Sequence, residues 1–435
     1  MRKPYLALAF VILLSLTILS SSALQTENIA ILSSGSIIYP TNSLTDNNLI
    51  IRSQIYEYNQ NQFSPEVLAA MTEMWIGHWY SLSNSQTIKA INPDVIAFVY
   101  FNTRHIWRVQ NADYDEALLN LFKTNDWILK DSGNNYIQTY NGDAYVIDFG
   151  APGYHTWLAN WFKDYIDLYD LDGASLDNWQ VSTIAFYGLP QTPINPRTGT
   201  DWTSQEVCDA YKALTLEIRK TIGVSKYVHV NGIFSGNHFY MTERINQLYI
   251  DGLLNGGVNA VTSEAIFSSF SSADWYTESF WLKGVNMAVW LSQNFLSLGG
   301  RIFATISENA GLHYPVGLEL LPSGVTKEQY VTYCYASRLL TLENEGNYIN
   351  FGTYMTEDYL QSLMKIELGT PSSAYYIVPD THIYARDFSK VKILVNPTFD
   401  SYSLNISGNY ETLEGIKVTS PLTIEPHTGI ILKMS

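Results

Sequence analysis

The segment DLDGASLDNWQ, which begins at Asp170, sets a carboxylate, an amide and an indole in direct succession after a short apolar run. If GASLD is a β-strand, alternate side chains share a face, so Ser175 and Asp177 point the same way. Asp177 is then the last side chain of that face, and Asn178 and Trp179 follow at once. A carboxylate at a strand end is placed to act on a bound ligand. The alternative is that Asp177 caps a helix or binds a loop.

Two later segments repeat this arrangement. KYVHVNG puts His229 and Asn231 on one face of a predicted strand, and AVTSEAIF places Glu264 near the end of another. Two carboxylates that flank a glycosidic bond can cleave it, because one protonates the leaving oxygen while the other attacks C1 or activates water. We predict Asp177 and Glu264 as this catalytic pair, in one cleft with carboxyl carbons roughly 5–10 Å apart.

Other side chains near predicted strand ends, or in the loops after them, are candidates for binding the substrate. Pyranose rings present C–H groups that pack on aromatic faces, and a few polar groups in an apolar pocket orient the ligand. The predicted substrate-binding residues are Trp79, Tyr100, Asn102, Asp148, Asn178, Trp179, His229, Asn231 and Glu308. Glu308 and Asp148 are also the next carboxylates to consider as partners of Asp177. For any single aromatic residue, and for a lone His such as His229, a place in the core is the alternative.

Segments typical of strands and helices alternate over about 300 residues of the chain. The predicted strands lie around residues 37–39, 75–80, 94–102, 145–150, 173–177, 226–232, 257–267, 301–309 and 347–352. Repeated strand–helix units indicate a parallel α/β sheet, and the length suits a closed (β/α)8 barrel, in which catalytic groups lie at the C-terminal ends of the strands. A doubly wound open sheet is the alternative.

The two ends of the chain depart from this alternation. Arg2 and Lys3 precede the apolar run YLALAFVILLSLTILS and a group of small residues, which predicts an export signal cleaved after Ala23. An uncleaved membrane anchor is the alternative. Near the C-terminus, short strands without helices predict a small antiparallel β domain. The predicted boundaries are a signal peptide at 1–23, a tether at 24–35, the barrel at 36–370 and a β-sandwich domain at 371–435.

The composition narrows the class of partner. The 435 residues include 46% hydrophobic and 14% aromatic side chains, which is typical of a globular protein, and the net charge of −16 argues against nucleic acid and anionic membranes. The two cysteines, Cys208 and Cys334, do not form a disulfide framework. Without a metal-binding or nucleotide-binding motif, the sequence predicts neither a metal nor a cofactor, and it does not indicate an oligomeric state.

A family resemblance is carried by the segments NPDVIAFVYFN, VIDFGAPGYHTWLANWFKDYI, DGASLDNW, TSEAIF and ARDFSKVKILVNPT. Over roughly residues 35–435, the chain resembles secreted (β/α)8 proteins of the hypothetical glycosyl hydrolase 15 type, a group distantly similar to the endo-α-1,4-polygalactosaminidases. The resemblance implies a catalytic carboxylate after strand 4, matching Asp177, and a Glu after strand 6, matching Glu264. DGLLNGG (251–257) is an alternative strand 6, and it would leave Glu264 on a loop.

These observations lead to one functional hypothesis and one rival from another class. We expect an exported glycoside hydrolase, secreted or at the cell surface, that cleaves a polysaccharide or cell-surface glycan with two carboxylates. The mature form would have no membrane span. The rival is a non-catalytic glycan-binding or surface-layer protein on the same scaffold, because a fold does not fix a function. The sugar, the linkage and the stereochemical outcome stay open.

Overall fold

Eight parallel strands close into a barrel in the computed structural model, which describes residues 51–57, 63–108, 115–186, 188–232, 243–264, 266–267, 277–306, 325–343, 345–351 and 358–435. In chain order, the barrel strands are β1 (Ile51–Glu57), β2 (Met74–Gly77), β3 (Ile96–Asn102), β7 (Gly173–Asp177), β8 (Tyr227–Asn231), β9 (Ala260–Glu264), β10 (Ile302–Ile306) and β11 (Asn347–Asn350). Each pairs with its neighbours in parallel, and β1 closes the circle by pairing with both β2 and β11. The predicted (β/α)8 barrel is therefore confirmed, and the open sheet is excluded.

Helices lie between and after these strands, and several begin with a side-chain cap. They are α1 (Pro65–Met71), α2 (Ser83–Ile91), α3 (Glu116–Thr124), α4 (Pro152–Tyr169), α5 (Ser204–Ile222), α6 (Glu243–Leu254), α7 (Glu278–Asn294), α8 (Lys327–Leu339) and α9 (Asp358–Met364). α5 begins with a capping box, in which the Thr203 hydroxyl accepts from the Glu206 N–H while the Glu206 carboxylate accepts from the Thr203 N–H. α4 has Pro152 in its first turn and ends at Asp170, whose φ of 51° stops the helix.

A hydrogen-bonded layer of polar side chains crosses the middle of the barrel. Ser175 Oγ lies 2.7 Å from His229 Nδ1, and His229 Nε2 lies 2.7 Å from Thr262 Oγ1. Gln54 Nε2 donates to the same Thr262 oxygen at 3.2 Å. These four buried residues come from β7, β8, β9 and β1, so they link strands on different sides of the barrel. Ser175 and His229 therefore point into the barrel, as the two-residue alternation of their strands predicts.

One predicted barrel strand is wrong, and one barrel strand was missed. Residues 145–150 were expected in the barrel, but β6 (Ala144–Val146) pairs antiparallel with β4 (His105–Trp107) and β5 (Gln138–Thr139) in a separate three-stranded sheet. Its apolar residues pack in the core without joining the barrel. The first barrel strand is β1, which the sequence analysis missed because IRSQIYE mixes polar and apolar residues. The predicted strand around 37–39 lies outside the described residues.

The alternative strand 6 at 251–257 is also excluded. Residues 251–254 form the last turn of α6, and the sixth barrel strand is β9, which ends at Glu264. Glu264 is thus at the C-terminal end of a barrel strand, two strands away from Asp177.

Two antiparallel sheets follow the barrel. The larger has the order β12 (Tyr376–Ile377), β13 (Tyr384–Asp387), β14 (Val391–Asn396), β18 (Thr428–Met434) and β16 (Tyr410–Glu411), and the smaller pairs β15 (Tyr402–Leu404) with β17 (Leu422–Ile424). One apolar cluster lies within this C-terminal region, and it includes Ile383, Leu394 and Ile424. Other side chains of β13, β14 and β18 join the main core of the barrel.

Specific contacts fix this region to the barrel. Arg386, which is 1% exposed, donates to the Leu340 carbonyl at 2.8 Å and pairs with Glu343 at 3.5 Å. Gly429 of β18 approaches α8 so closely that a Cβ would lie 2.7 Å from Ala336 Cβ. Among the described residues, no helix combines the length and apolar character of a membrane span.

We predict that Gly173→Ala destabilises the protein, because the new Cβ would lie 2.3 Å from the Tyr227 carbonyl oxygen on the neighbouring strand. The loss in the free energy of unfolding should be about 1–3 kcal/mol, the usual effect of overpacking. Urea unfolding measures it. Val224→Ala, at a side chain that is 82% exposed, is the control and should change the free energy by less than about 0.5 kcal/mol. Equal stability of Gly173→Ala and wild type would contradict the close approach of these two strands.

Candidate active site

Asp177 ends β7 at the C-terminal mouth of the barrel, and its carboxylate accepts four hydrogen bonds. The Asn178 backbone N–H donates to Oδ1 at 2.8 Å, and the Asn178 side chain donates to Oδ2 at 3.0 Å. Asn178 has a φ of 55°, a left-handed conformation that Asn adopts more readily than most residues, and this turn brings both of its donors back to Asp177. Tyr100 from β3 donates its hydroxyl to Oδ2 at 2.8 Å.

The fourth donor, Asn231, joins the two predicted catalytic carboxylates. Its side-chain nitrogen donates to Asp177 Oδ1 at 3.0 Å and to Glu264 Oε1 at 2.7 Å. Because both oxygens bond to one nitrogen, these two facing oxygens are at most about 6 Å apart, so both carboxylates can flank one glycosidic bond. Asn231 is the residue of β8 that pairs with Asp177, so the strand register produces this contact. The structure thus brings Asp177, Asn231 and Glu264 together.

Burial raises the pKa of Asp177 to about 6, although hydrogen bonds from Tyr100, Asn178 and Asn231 oppose the shift. Burial disfavours the charged carboxylate, whereas donors stabilise it. The opposing groups are all neutral donors rather than cations. Asp177 is therefore mostly charged at pH 7, and it is half protonated at about pH 6. A strongly shifted carboxyl group in a cleft is typical of functional sites.

Aromatic rings in the loop after β2 pack on Tyr100 of β3, which contacts Asp177. The ring centroids of Tyr100 and His78 are 4.2 Å apart, and His78 stacks on Tyr80 at 5.0 Å with an angle of 19° between the rings. Burial lowers the pKa of His78 to about 3, so this ring is neutral. Trp79 meets the edge of Tyr80 at 5.6 Å and keeps part of its surface exposed. The predicted residues Tyr100 and Trp79 therefore both lie on this side of the mouth.

Two predicted binding residues hold the protein itself together. Asn102 is the β3 residue that pairs with Asp177, and its side-chain oxygen accepts from the backbone N–H groups of Arg104 and His105 at 3.1 and 3.0 Å. His229 lies fully buried in the polar layer below the carboxylates, with both ring nitrogens bonded. Burial lowers its pKa to about 3, so it is a neutral member of the core. Its predicted contact with substrate stays a prediction.

The side chains of two further predicted residues, Asp148 and Trp179, are engaged within the protein. Asp148 follows β6 and forms a two-point ion pair with Arg197, at 2.8 and 2.9 Å. Trp179 is fully buried and its ring packs on Tyr211 and Gly252, so no part of the indole is exposed for stacking on a sugar. Trp179 points into the core because the left-handed turn at Asn178 changes the chain direction directly after the strand. Glu308 lies outside the described residues.

The sequence analysis missed two side chains that support the pair. Thr103 donates both its N–H and its hydroxyl to the Asp177 carbonyl, at 3.0 and 2.6 Å. Tyr211 of α5 donates its hydroxyl to the Asn178 carbonyl at 3.2 Å. Thr103 follows the end of β3 and could have been found as a strand-end residue. Tyr211 lies on a helix far along the chain, and only the packing of α5 on the barrel brings it here.

No metal site accompanies these residues in the described ranges, where no group of three or more His, Cys, Asp or Glu side chains is arranged to hold an ion. The described site therefore offers carboxylates, amides, hydroxyls and aromatic rings. This set can bind sugar hydroxyls, transfer protons and attack an electrophilic carbon.

Among the comparisons with known proteins, only the one with solved structures found matches, and it supports the fold. No protein-family model matches the chain, and no curated protein matches it. Among solved structures, it is similar to the noncanonic maltogenic α-amylase AmyB from Thermotoga neapolitana, with 10% identity, 89% of this chain and 98% of that chain covered, and a TM-score of 0.51. It is also similar to the α-glucosyl transfer enzyme XgtA, with 9% identity, coverage of 89% and 99%, and a TM-score of 0.54. At such low identity, the likeness shows the barrel architecture alone.

We predict that Asn231→Ala raises the pKa of Asp177 above its value of about 6. The substitution removes a donor that stabilises the charged carboxylate and also leaves Glu264 without the shared amide. An NMR titration of the Asp177 carboxyl carbon measures the change. Asn102→Ala is the control, because that amide binds the backbone of Arg104 and His105 instead. An unchanged or lowered pKa in Asn231→Ala would show that the amide does not stabilise the charged form.

Proposed function

We propose that this protein is a glycoside hydrolase in which Asp177 and Glu264 cleave the glycosidic bond. The observation that carries the proposal is the single Asn231 nitrogen within hydrogen-bonding distance of both carboxylates, at 3.0 and 2.7 Å. The two groups lie at the C-terminal mouth of a (β/α)8 barrel, where the active sites of such enzymes lie. Two structural neighbours bear the names of an α-amylase and an α-glucosyl transfer enzyme, which supports the choice of a carbohydrate substrate.

We propose a mechanism that retains the configuration at C1, because the shared Asn231 amide brings the facing carboxylate oxygens within about 6 Å of each other. Inverting enzymes keep their carboxyl groups about 6.5–9.5 Å apart to leave room for water, whereas retaining enzymes keep them about 5–5.5 Å apart. In the first step, Asp177 attacks C1 and forms a glycosyl ester while Glu264 gives its proton to the departing oxygen. In the second step, Glu264 takes a proton from water, the resulting hydroxyl bonds to C1, and the Asp177 carboxylate leaves.

We assign the attack on C1 to Asp177, because several donors fix its two oxygens and favour the charged form against the effect of burial. Four hydrogen bonds from Tyr100, Asn178 and Asn231 point at its two oxygens. Above pH 6 the carboxylate form predominates, which the attack on C1 requires. Its partial desolvation also removes water that would otherwise shield the attacking oxygen.

The proposed place of action is outside the cell, at the surface or in the medium. This part of the proposal rests on the charged and apolar N-terminal sequence, which has the pattern of an export signal. A polysaccharide or a cell-surface glycan is the proposed substrate. The net charge of −16 suits a neutral or basic glycan better than an acidic one.

We predict that Asp177→Asn and Glu264→Gln each lower kcat/KM on a cleaved glycan by at least about 10²–10⁴-fold, the usual contribution of such a catalytic group. Both changes keep size and shape but remove a charge or a transferable proton. Release of reducing sugar from a panel of polysaccharides measures the rate. Asp167→Asn, an exposed carboxylate on α4, is the matched control and should retain wild-type activity.

Two outcomes would contradict this assignment. Rapid hydrolysis by Asp177→Asn would remove Asp177 from the chemistry. A wild-type protein that binds glycans on the panel but releases no reducing sugar would favour a binding protein on the same scaffold, and in that case the Asp177→Asn protein should bind about as well as wild type.

A further inference from the structure

The three-stranded sheet beside the barrel carries an exposed tyrosine over two partly or fully buried aromatic side chains. His105 and Trp107 share one face of β4, opposite Val146 and Ala144 of β6. The Tyr140 ring lies 5.0 Å from the His105 ring and 5.1 Å from the Trp107 ring, and it is nearly parallel to Trp107 at 22°. Tyr140 is nevertheless 44% exposed. A ring held by two neighbours and open to solvent is a rigid surface for stacking.

Polar groups beside this ring have no partner within the described chain. Neither ring nitrogen of His105 accepts or donates a hydrogen bond there, and the same holds for the Trp107 indole N–H. His105 is only 2% exposed. Buried polar groups are normally satisfied, because leaving one unpaired is costly, so unpaired groups call for an explanation such as a ligand or a water.

The chemistry of these groups narrows the ligand. Burial and the nearby Arg104 cation hold the pKa of His105 well below its usual value, so its imidazole is neutral. A neutral imidazole offers one donor and one acceptor, and the indole offers one donor. These nitrogens are themselves covered by protein, so they lie in the base on which the Tyr140 ring rests. The surface offered to a ligand is an uncharged aromatic face that is open to solvent, and such a face matches the C–H groups of a sugar ring better than a charged ligand.

The sheet is also tied to the proposed site. Asn102 lies opposite Asp177 on the neighbouring strand, and its side-chain oxygen accepts a hydrogen bond from the His105 N–H at 3.0 Å. Thr103, between them in sequence, binds the Asp177 carbonyl. Trp107 is five residues beyond Asn102, so the two are at most about 18 Å apart even along a fully extended chain. A short run of linked sugar rings can span such a distance.

We propose that Tyr140 and Trp107, packed over the buried His105, form a second sugar-binding subsite, which takes one pyranose ring of a glycan chain at a distance from the bond that is cleaved. This inference rests on the proposed glycosidase function and extends it. It assigns the substrate to the class of oligosaccharides and polysaccharides long enough to reach from Asp177 to Tyr140. Binding of the distant ring then helps to hold the reacting bond at the carboxylates.

The test measures binding as a function of chain length in the Asp177→Asn background. The probe is a printed array of linear homo-oligosaccharides of glucose, galactose, mannose, hexosamine or N-acetylhexosamine, with two or three units in the short members and six to eight in the long ones. Tyr140→Ala should weaken binding of the long oligomers by about three- to tenfold, which is the size of an aromatic stacking contact, and should leave the short ones unchanged. Tyr140→Phe should bind like the parent because it keeps the ring.

Phe399→Ala is the matched control, since Phe399 is 64% exposed in the C-terminal region and should not affect either class of oligomer. If Tyr140→Ala does not fold, Tyr140→Asn replaces it, because Asn tolerates the φ of 50° found at this position.

Equal binding of long oligomers by the parent and the ring-less variant would overturn the subsite, even if the wild type hydrolyses glycans. The same conclusion follows if no long oligomer binds better than its short counterpart. A length-dependent loss in Tyr140→Ala, together with a wild type that hydrolyses nothing, would support the subsite and reject the proposed reaction.

Discussion

One amide nitrogen, Asn231 Nδ2, fixes the relation between the two carboxylates at the barrel mouth. An amide N–H₂ group has two hydrogens and no negative charge, so it can bind two carboxylates at once without neutralising either. The Asn231 oxygen must then point away from both, and within the described chain it has no hydrogen-bond partner. Asn231 thus serves the two carboxylates with its side-chain nitrogen alone.

The barrel makes this contact possible. Pairing of β7 with β8 sets Asp177 beside Asn231, and Glu264 ends the next strand. In the layer below, both ring nitrogens of His229 are bonded to Ser175 and Thr262. Asp177 depends instead on Tyr100, Asn178 and Asn231 at the mouth. Since burial outweighs these neutral donors, the carboxyl group keeps a pKa of about 6, which places its titration close to neutral pH.

Much of the fold could be predicted from local patterns, because apolar and β-branched strands alternate with capped helices. The inward faces of β7, β8 and β9 follow from the two-residue period of a strand, and this period alone predicts Asp177, Asn231 and Glu264 at one edge of the barrel. The prediction of a barrel strand at residues 145–150 was wrong, because a short apolar run does not distinguish a barrel strand from another buried strand. β1 was missed for the opposite reason, since its sequence is too polar for a simple pattern.

The directions of side chains beyond the strand ends were less predictable. A single left-handed residue, Asn178, sends Trp179 into the core, and no periodic pattern extends across such a turn. Asp148 was expected near the site as a carboxylate, but its partner Arg197 lies far along the chain. Tyr211 reaches the site from a helix through tertiary packing alone. The chemical roles of Asp177 and Glu264 stay predictions, because geometry brings them together without showing a reaction.

The most direct test of the central claim is to trap the covalent intermediate. Wild-type protein is incubated with a panel of activated 2-deoxy-2-fluoro glycosides, which slow the second step of a retaining mechanism, and its peptides are then analysed by mass spectrometry. Our account predicts one fluoroglycosyl adduct on the peptide that contains Asp177, and none in the Asp177→Asn protein. An adduct on another carboxylate, or hydrolysis of a glycan by the wild type with inversion at C1, would contradict it.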